Sequence, residues 1–137
     1  MAHEHVVYAI LADGATLAKD TAAIQRYAPK LEELALRDDH RPYLAVAHRA
    51  WGVAHRLQTD FTSARSQLAQ ALDLFESFGA RWQSGRTLFN MGELEAAKGE
   101  SAAACGYFRR ALEAFEEMKA EPAIARAEAA LAACSAK

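Results

Sequence analysis

Between residues 42 and 57 the apolar positions Ala47, Ala50, Trp51, Ala54 and Leu57 recur three or four apart, the spacing of one face of a helix. A second stripe of Val46, Arg49, Val53 and Arg56 runs beside it, so this helix is mixed or apolar on more than one side and is expected to sit between neighbours. After a turn at Thr59 and Asp60, the residues Phe61, Ala64, Leu68, Ala71, Leu72 and Phe75 repeat the spacing. Trp82, Leu88, Met91 and Leu94 predict a further helix over about 81–98; Ala104, Phe108, Ala111, Leu112, Phe115 and Met118 predict another over about 101–119. Upstream, Val7, Ile10, Leu11 and Gly14 predict a first helix over 4–17. Asp20 or Thr21 can cap the second, which carries Ile24, Leu31, Leu34 and Ala35. Pro29 should bend that helix unless it opens a new segment. The last helix, about 122–135, is small or apolar on both sides, with Ile124, Ala127, Leu131 and Cys134 on one and Ala125, Ala129, Ala132 and Ala136 on the other.

The pattern has a period. Sliding the chain by 40 residues lays 41–80 on 81–120 and matches Arg41 with Arg81, Gly52 with Gly92, Ala64 with Ala104, Ala71 with Ala111 and Phe75 with Phe115. Pro42 and Pro122, two periods apart, suit the first turn of a helix, where a missing N–H costs nothing. A fixed period of this size predicts a solenoid whose units bury their apolar faces on each other. The expected organisation is one domain over 1–137, with a degenerate unit at 1–40, clear units at 41–80 and 81–120, and a terminal helix at 121–137.

Small residues refine this. Gly52 stands in the middle of a predicted helix, where it costs about 1 kcal/mol relative to Ala. That cost fits a crossing too close for a Cβ, which Gly92 repeats one period later, with Ala64, Ala71, Ala104 and Ala111 as the small positions of the second helices. Gly79 and Gly99 end their helices as left-handed residues should. The run Trp51-Gly52, Thr59-Asp60-Phe61, Ala64, Ala71, then Met91-Gly92, Gly99-Glu100, Ala104, Ala111 resembles the tetratricopeptide repeat. Thr59 and Ser101 depart from its pattern, and 40 residues exceed its usual 34. The longer period is similar to the variant found in helical regions of bacterial signalling proteins such as multidomain ATPases, adenylate cyclases and large transcriptional activators. A 40-residue period also suits HEAT-type pairs, against which the Gly and paired-Ala signature argues.

The resemblance implies an all-α fold, a right-handed superhelical solenoid of about three antiparallel helix pairs plus a terminal helix. It also implies a non-enzymatic protein–protein interaction scaffold that holds a peptide or protein segment in a concave groove. First helices line that groove in the family, which selects Arg49, Val53, Arg56, Arg86, Phe89, Asn90, Glu93 and Arg126 as partner-binding residues. Arg49, Asn90 and Arg126 fall where some members grip a C-terminal carboxylate, an anion that guanidinium forks suit. Two alternatives stand beside this reading. One is a regulatory or sensory domain of a larger ATPase, cyclase or transcriptional regulator; the other is self-association as a homodimer through the weakly capped terminal helix.

Composition excludes other classes. The chain is 52% hydrophobic and 25% charged, with a net charge of -2, which argues against a nucleic-acid partner needing an excess of Lys and Arg. No stretch approaches the ~18 apolar residues of a membrane span, and no signal-peptide pattern opens the chain, so the expected location is cytoplasmic. Cys105 and Cys134 match no ligand spacing and are expected as free, buried small hydrophobes in a reducing compartment. His48 and His55 share a helical face but stand roughly 10 Å apart along the axis, too far to share an ion. His3, His5 and His40 suggest no metal site either. No catalytic motif is present; Lys98-Gly99-Glu100-Ser101 lacks the order and spacing of a phosphate loop. No cofactor is expected.

Overall fold

The computed structural model describes residues 2–136, with side chains from Glu4 to Ala136. Among the described residues there is no strand. The chain forms α1 (Ala2–Leu17), α2 (Thr21–Arg37), α3 (Arg41–Leu57), α4 (Phe61–Ser77), α5 (Arg81–Ala97), α6 (Ser101–Glu117) and α7 (Glu121–Ser135). This is an all-α helical repeat. Pro29 does not divide α2, which continues to Arg37. The proline is on the exposed side, where water can meet the carbonyl deprived of its donor.

What makes the helices equal in length is the connection between them. Six three-residue turns place one residue each in the left-handed region, at intervals of 20: Lys19 (φ 55°), Asp39 (50°), Thr59 (63°), Gly79 (66°), Gly99 (81°) and Lys119 (55°). The following N–H then reaches back to a carbonyl in the last helical turn, as from His40 to Ala35 at 2.8 Å, Asp60 to His55 at 2.9 Å and Ala80 to Phe75 at 3.0 Å. These bonds satisfy carbonyls that a helix end leaves open. The sequence signalled Gly79 and Gly99; at the other four turns a residue with a Cβ adopts the same conformation.

Helix starts are less uniform. Asp20 Oδ1 accepts from the Ala23 N–H at 3.1 Å and Asp60 Oδ1 from Ser63 at 3.2 Å. His40 caps α3 with a ring nitrogen, Nδ1 accepting from the Tyr43 N–H at 3.3 Å, while its ring stacks on Tyr43 at 4.0 Å. Ala80, Glu100 and Ala120 make no side-chain cap at the starts of α5, α6 and α7.

The chain divides into two compact units, Met1–Leu74 and Phe75–Lys137. In the first, Ile24 and Ala28 of α2 pack with Ala50, Val53 and Ala54 of α3 and Ala15 of α1, flanked by Ala23 and Trp51. A Cβ on Gly52 would stand 2.5 Å from Leu68 Cγ, so α3 and α4 cross where only Gly fits without displacement. In the second unit Ala104, Phe108 and Cys134 form a buried cluster, with Phe89, Cys105, Ala130 and Leu131 packed on it. Gly92 repeats the close crossing against Phe108, again at 2.5 Å from a built Cβ. In both crossings the glycine faces the large residue between the paired alanines, rather than the alanines themselves. Gly85, which the sequence pattern passed over, is a third such position, with Phe115 Cε1 2.8 Å away.

Candidate interaction surface

The predicted binding residues divide between the units and differ in what they offer. Arg49 of α3 is 0% exposed, and its Nη2 donates to Asp13 Oδ1 of α1 at 3.0 Å. Val53 is 2% exposed and belongs to the core between α2 and α3. Neither side chain is presented to a partner, which corrects their expected place in a groove. The physical reason is that α1 lies against α3, so a position polar by residue type is interior by packing. Its carboxylate partner was visible in the sequence as Asp13, but nothing in the helical period brings 13 to 49.

Arg56, two turns beyond Arg49 in α3, is half-buried. Its Nε and Nη2 are buried and have no hydrogen-bond acceptor among the described residues. Buried guanidinium donors left in that state are costly, and an incoming oxygen anion would satisfy them.

In the second unit, Arg86, Phe89, Asn90 and Glu93 are half-buried on one face of α5, at the spacing of neighbours along a helix. Phe89 stacks at a tilt on Phe108, with ring centres 5.1 Å apart. Asn90 Nδ2 donates to Glu93 Oε1 at 3.3 Å, and Arg86 Nη1 lies 3.5 Å from Gln83 Oε1. Arg126 is exposed on α7, one period beyond Arg86.

The histidines serve the fold. His5 is buried, with Nε2 3.2 Å from the Leu34 carbonyl and 3.0 Å from Asp38 Oδ2, and it stacks near His40. His48 Nδ1 meets Gln67 Oε1 at 2.7 Å; His55 stacks on Trp51. The side chain of His3 lies outside the described residues. Among the described residues no group of three or more His, Cys, Asp or Glu side chains is arranged to hold a metal ion.

Two features depart from expectation. The first concerns the cysteines, which are joined as a disulfide between α6 and α7 rather than free. Cys105 and Cys134 lie 14 and 15 residues on either side of the turn residue Lys119, so antiparallel packing of the two helices sets them face to face. A spacing search for metal or redox motifs looks only along the chain and misses this. The second is where large apolar side chains are exposed. Five of them lie on α1, at Val6, Val7, Ile10, Leu11 and Leu17, with Ile10 66% exposed, while Leu36, Leu57, Phe78 and Met118 are single positions near the ends of later helices. One period later, the positions of Val7, Ile10 and Gly14 are Ala47, Ala50 and Ala54, all buried. The outward residues of α7 are mostly small: Ala125, Ala129, Ala132 and Ala133.

Two electrostatic details complete the picture. Hydrogen bonding from Arg37 holds the Asp38 carboxyl below the usual carboxylate range, assisted by the charges of Arg37 and His5. Hydrogen bonds from the Ser63 side chain and then its backbone hold Asp60 low in the same way. No helix among the described residues is long and apolar enough to cross a membrane.

Equal helices, three-residue turns and glycine-mediated crossings define a helix-pair repeat protein. The tetratricopeptide-repeat family model matches residues 43–117, more than half of the chain, and the protein belongs to that family. Among curated proteins none matches the chain. Tetratricopeptide repeats mediate protein–protein interaction and are typically non-catalytic.

Proposed function

We propose that this chain is a non-enzymatic protein-interaction module that takes up a carboxylate-bearing peptide segment at Arg56. The observation that carries the reading is the pair of buried guanidinium nitrogens without an acceptor. A peptide C-terminus or an acidic side chain offers the two oxygens that a guanidinium fork binds best. Arg49 is engaged with Asp13, which moves the proposed anion contact one position set along α3. In the second unit, Arg86, Phe89, Asn90 and Glu93 of α5 and Arg126 of α7 are a separate set of contacts that we assign to a partner of that unit. A domain of this kind attached to a signalling ATPase, cyclase or transcriptional regulator would work through the same surface.

The test is fluorescence anisotropy with a labelled library of short acidic peptides, each carrying either a free or an amidated C-terminus. Binding by the native chain that Arg56→Gln lowers at least tenfold, with helicity unchanged, supports the proposal. Equal binding by the native and Arg56→Gln chains moves the site elsewhere.

The exposed apolar stripe of α1 favours a second reading, self-association, with α1 rather than α7 supplying the adhesive face. Exposed large apolar groups grouped on one helix mark interaction surfaces more often than isolated ones do. Light scattering over a concentration series tests it: a dimer that Ile10→Glu returns to monomer supports association through α1, and a monomer throughout removes it.

A further inference from the structure

The side chains that helix α7 buries fully are all small, and its larger apolar residues, Ile124 and Leu131, are only half-buried. Its buried side chains are Ala123, Ala127 and Cys134, whereas α6 buries Phe108 and Phe115 as well as three alanines. Its start carries no side-chain cap. The three-residue turn at Lys119 closes one end of the α6–α7 hairpin, and the disulfide from Cys105, in the second turn of α6, to Cys134, one residue from the end of α7, closes the other. The bond therefore restrains the one edge of the hairpin that the backbone leaves open.

The surroundings suit both oxidation states. The Cys134 sulfur is 3.3 Å from the Leu131 carbonyl, to which a thiol could donate, and Cys105 Sγ is 3.7 Å from the Ser135 hydroxyl. Access is unequal: Cys134 is 7% exposed, while Cys105 is half-buried. A thiolate arriving from solvent therefore meets the Cys105 sulfur first.

We propose that the Cys105–Cys134 bond is a reversible redox site that decides whether α7 stays docked on α6. The reductant is a dithiol. One of its thiolates attacks Cys105 Sγ, the bond between the cysteines breaks, and Cys134 leaves as a thiolate that takes a proton. The second thiol of the reductant then attacks the mixed disulfide, Cys105 is released as a thiol, and the dithiol becomes a cyclic disulfide. Two electrons and two protons pass to the protein. In the reduced chain α7 separates from α6 and uncovers Ala104 and Phe108, which are buried in the cluster that includes Cys134. Arg126 moves with α7. This inference rests on the disulfide and on α7 packing, and it stands or falls independently of peptide binding at Arg56.

Hydrogen–deuterium exchange read by mass spectrometry on the full chain, oxidised and after reduction by dithiothreitol, tests the idea. Peptides covering 121–136 should lose most of their protection on reduction while those from α1 to α5 keep theirs, and oxidised glutathione should restore it. The melting temperature should fall by about 10 °C, the scale for opening a loop of this length in a small unit. A Cys105→Ser, Cys134→Ser chain should match the reduced protein and ignore dithiothreitol. Equal protection of 121–136 in both states would overturn the proposal, as would loss of protection throughout α5 and α6, which would make the bond a general staple. Alkylation of both cysteines in the unreduced, air-equilibrated chain would overturn it at the outset.

Discussion

Arg49 on α3 donates from Nη2 to Asp13 Oδ1 on α1 across 3.0 Å, with the guanidinium wholly removed from solvent and Asp13 at its edge. A buried charge depends on its counter-charge far more than a surface one does. Asp13→Ala should destabilise the chain by about 3 kcal/mol in urea unfolding, the cost of leaving a buried cation poorly compensated. Replacing both partners, Arg49→Met with Asp13→Leu, should cost much less. A double variant as unstable as the single would show that the pair is not the source of the loss.

Glycines inside helices should respond in opposite directions according to their surroundings. Gly52→Ala drives a methyl to 2.5 Å from Leu68 Cγ and should destabilise by about 1–3 kcal/mol. Gly14 and Gly106 have nothing within 4 Å of a built Cβ. There the same substitution should stabilise by about 0.5–1 kcal/mol through helix propensity alone. Thermal melts of the three variants check the contrast directly.

At the turns the signs reverse again. Thr59 and Lys119 hold φ of 63° and 55°, where a Cβ is strained and a β-branched residue most of all. Thr59→Gly and Lys119→Gly should each raise stability by about 0.5–1 kcal/mol, whereas Gly99→Ala should lower it by about 1 kcal/mol. Denaturant midpoints that shift with unchanged slopes would confirm these changes in stability.

Acid should weaken the fold through Asp38 and Asp60. Hydrogen bonds depress both carboxyls below their unfolded values, so their stabilising contribution is complete above about pH 5. It is lost as pH falls through the depressed folded values, because the unfolded chain then binds protons more readily. Asp60→Asn should lower the melting temperature at neutral pH, flatten the acid limb between about pH 2 and pH 5, and converge on the native profile in acid. A profile parallel to that of the native chain would exclude Asp60 as a contributor.

Much of the fold was legible in the sequence because its signals are local or strictly periodic. The helical spacing of Ala47, Ala50 and Ala54, Pro at the starts of α3 and α7, and the mid-helix Gly52 and Gly92 each follow from backbone geometry that a few residues determine. The candidate site was less legible. Residue type suggested that Arg49 would face solvent and that Cys105 and Cys134 would stay apart; packing decided otherwise in both cases. The left-handed turns at Lys19, Asp39, Thr59 and Lys119 were hidden because glycine, their usual marker, is absent.

By itself, then, the sequence determined seven helices, their 40-residue period and the family, since hydrophobic spacing and small-residue positions depend on the rise and twist of a single helix. Only the tertiary structure decided that Asp13 neutralises Arg49, that Arg56 retains two buried donors, that α1 exposes Ile10, and that a disulfide closes the α6–α7 hairpin. Each of these depends on which helix lies beside which and at what rotation. That is settled by the summed packing of whole faces, to which no short stretch of sequence corresponds.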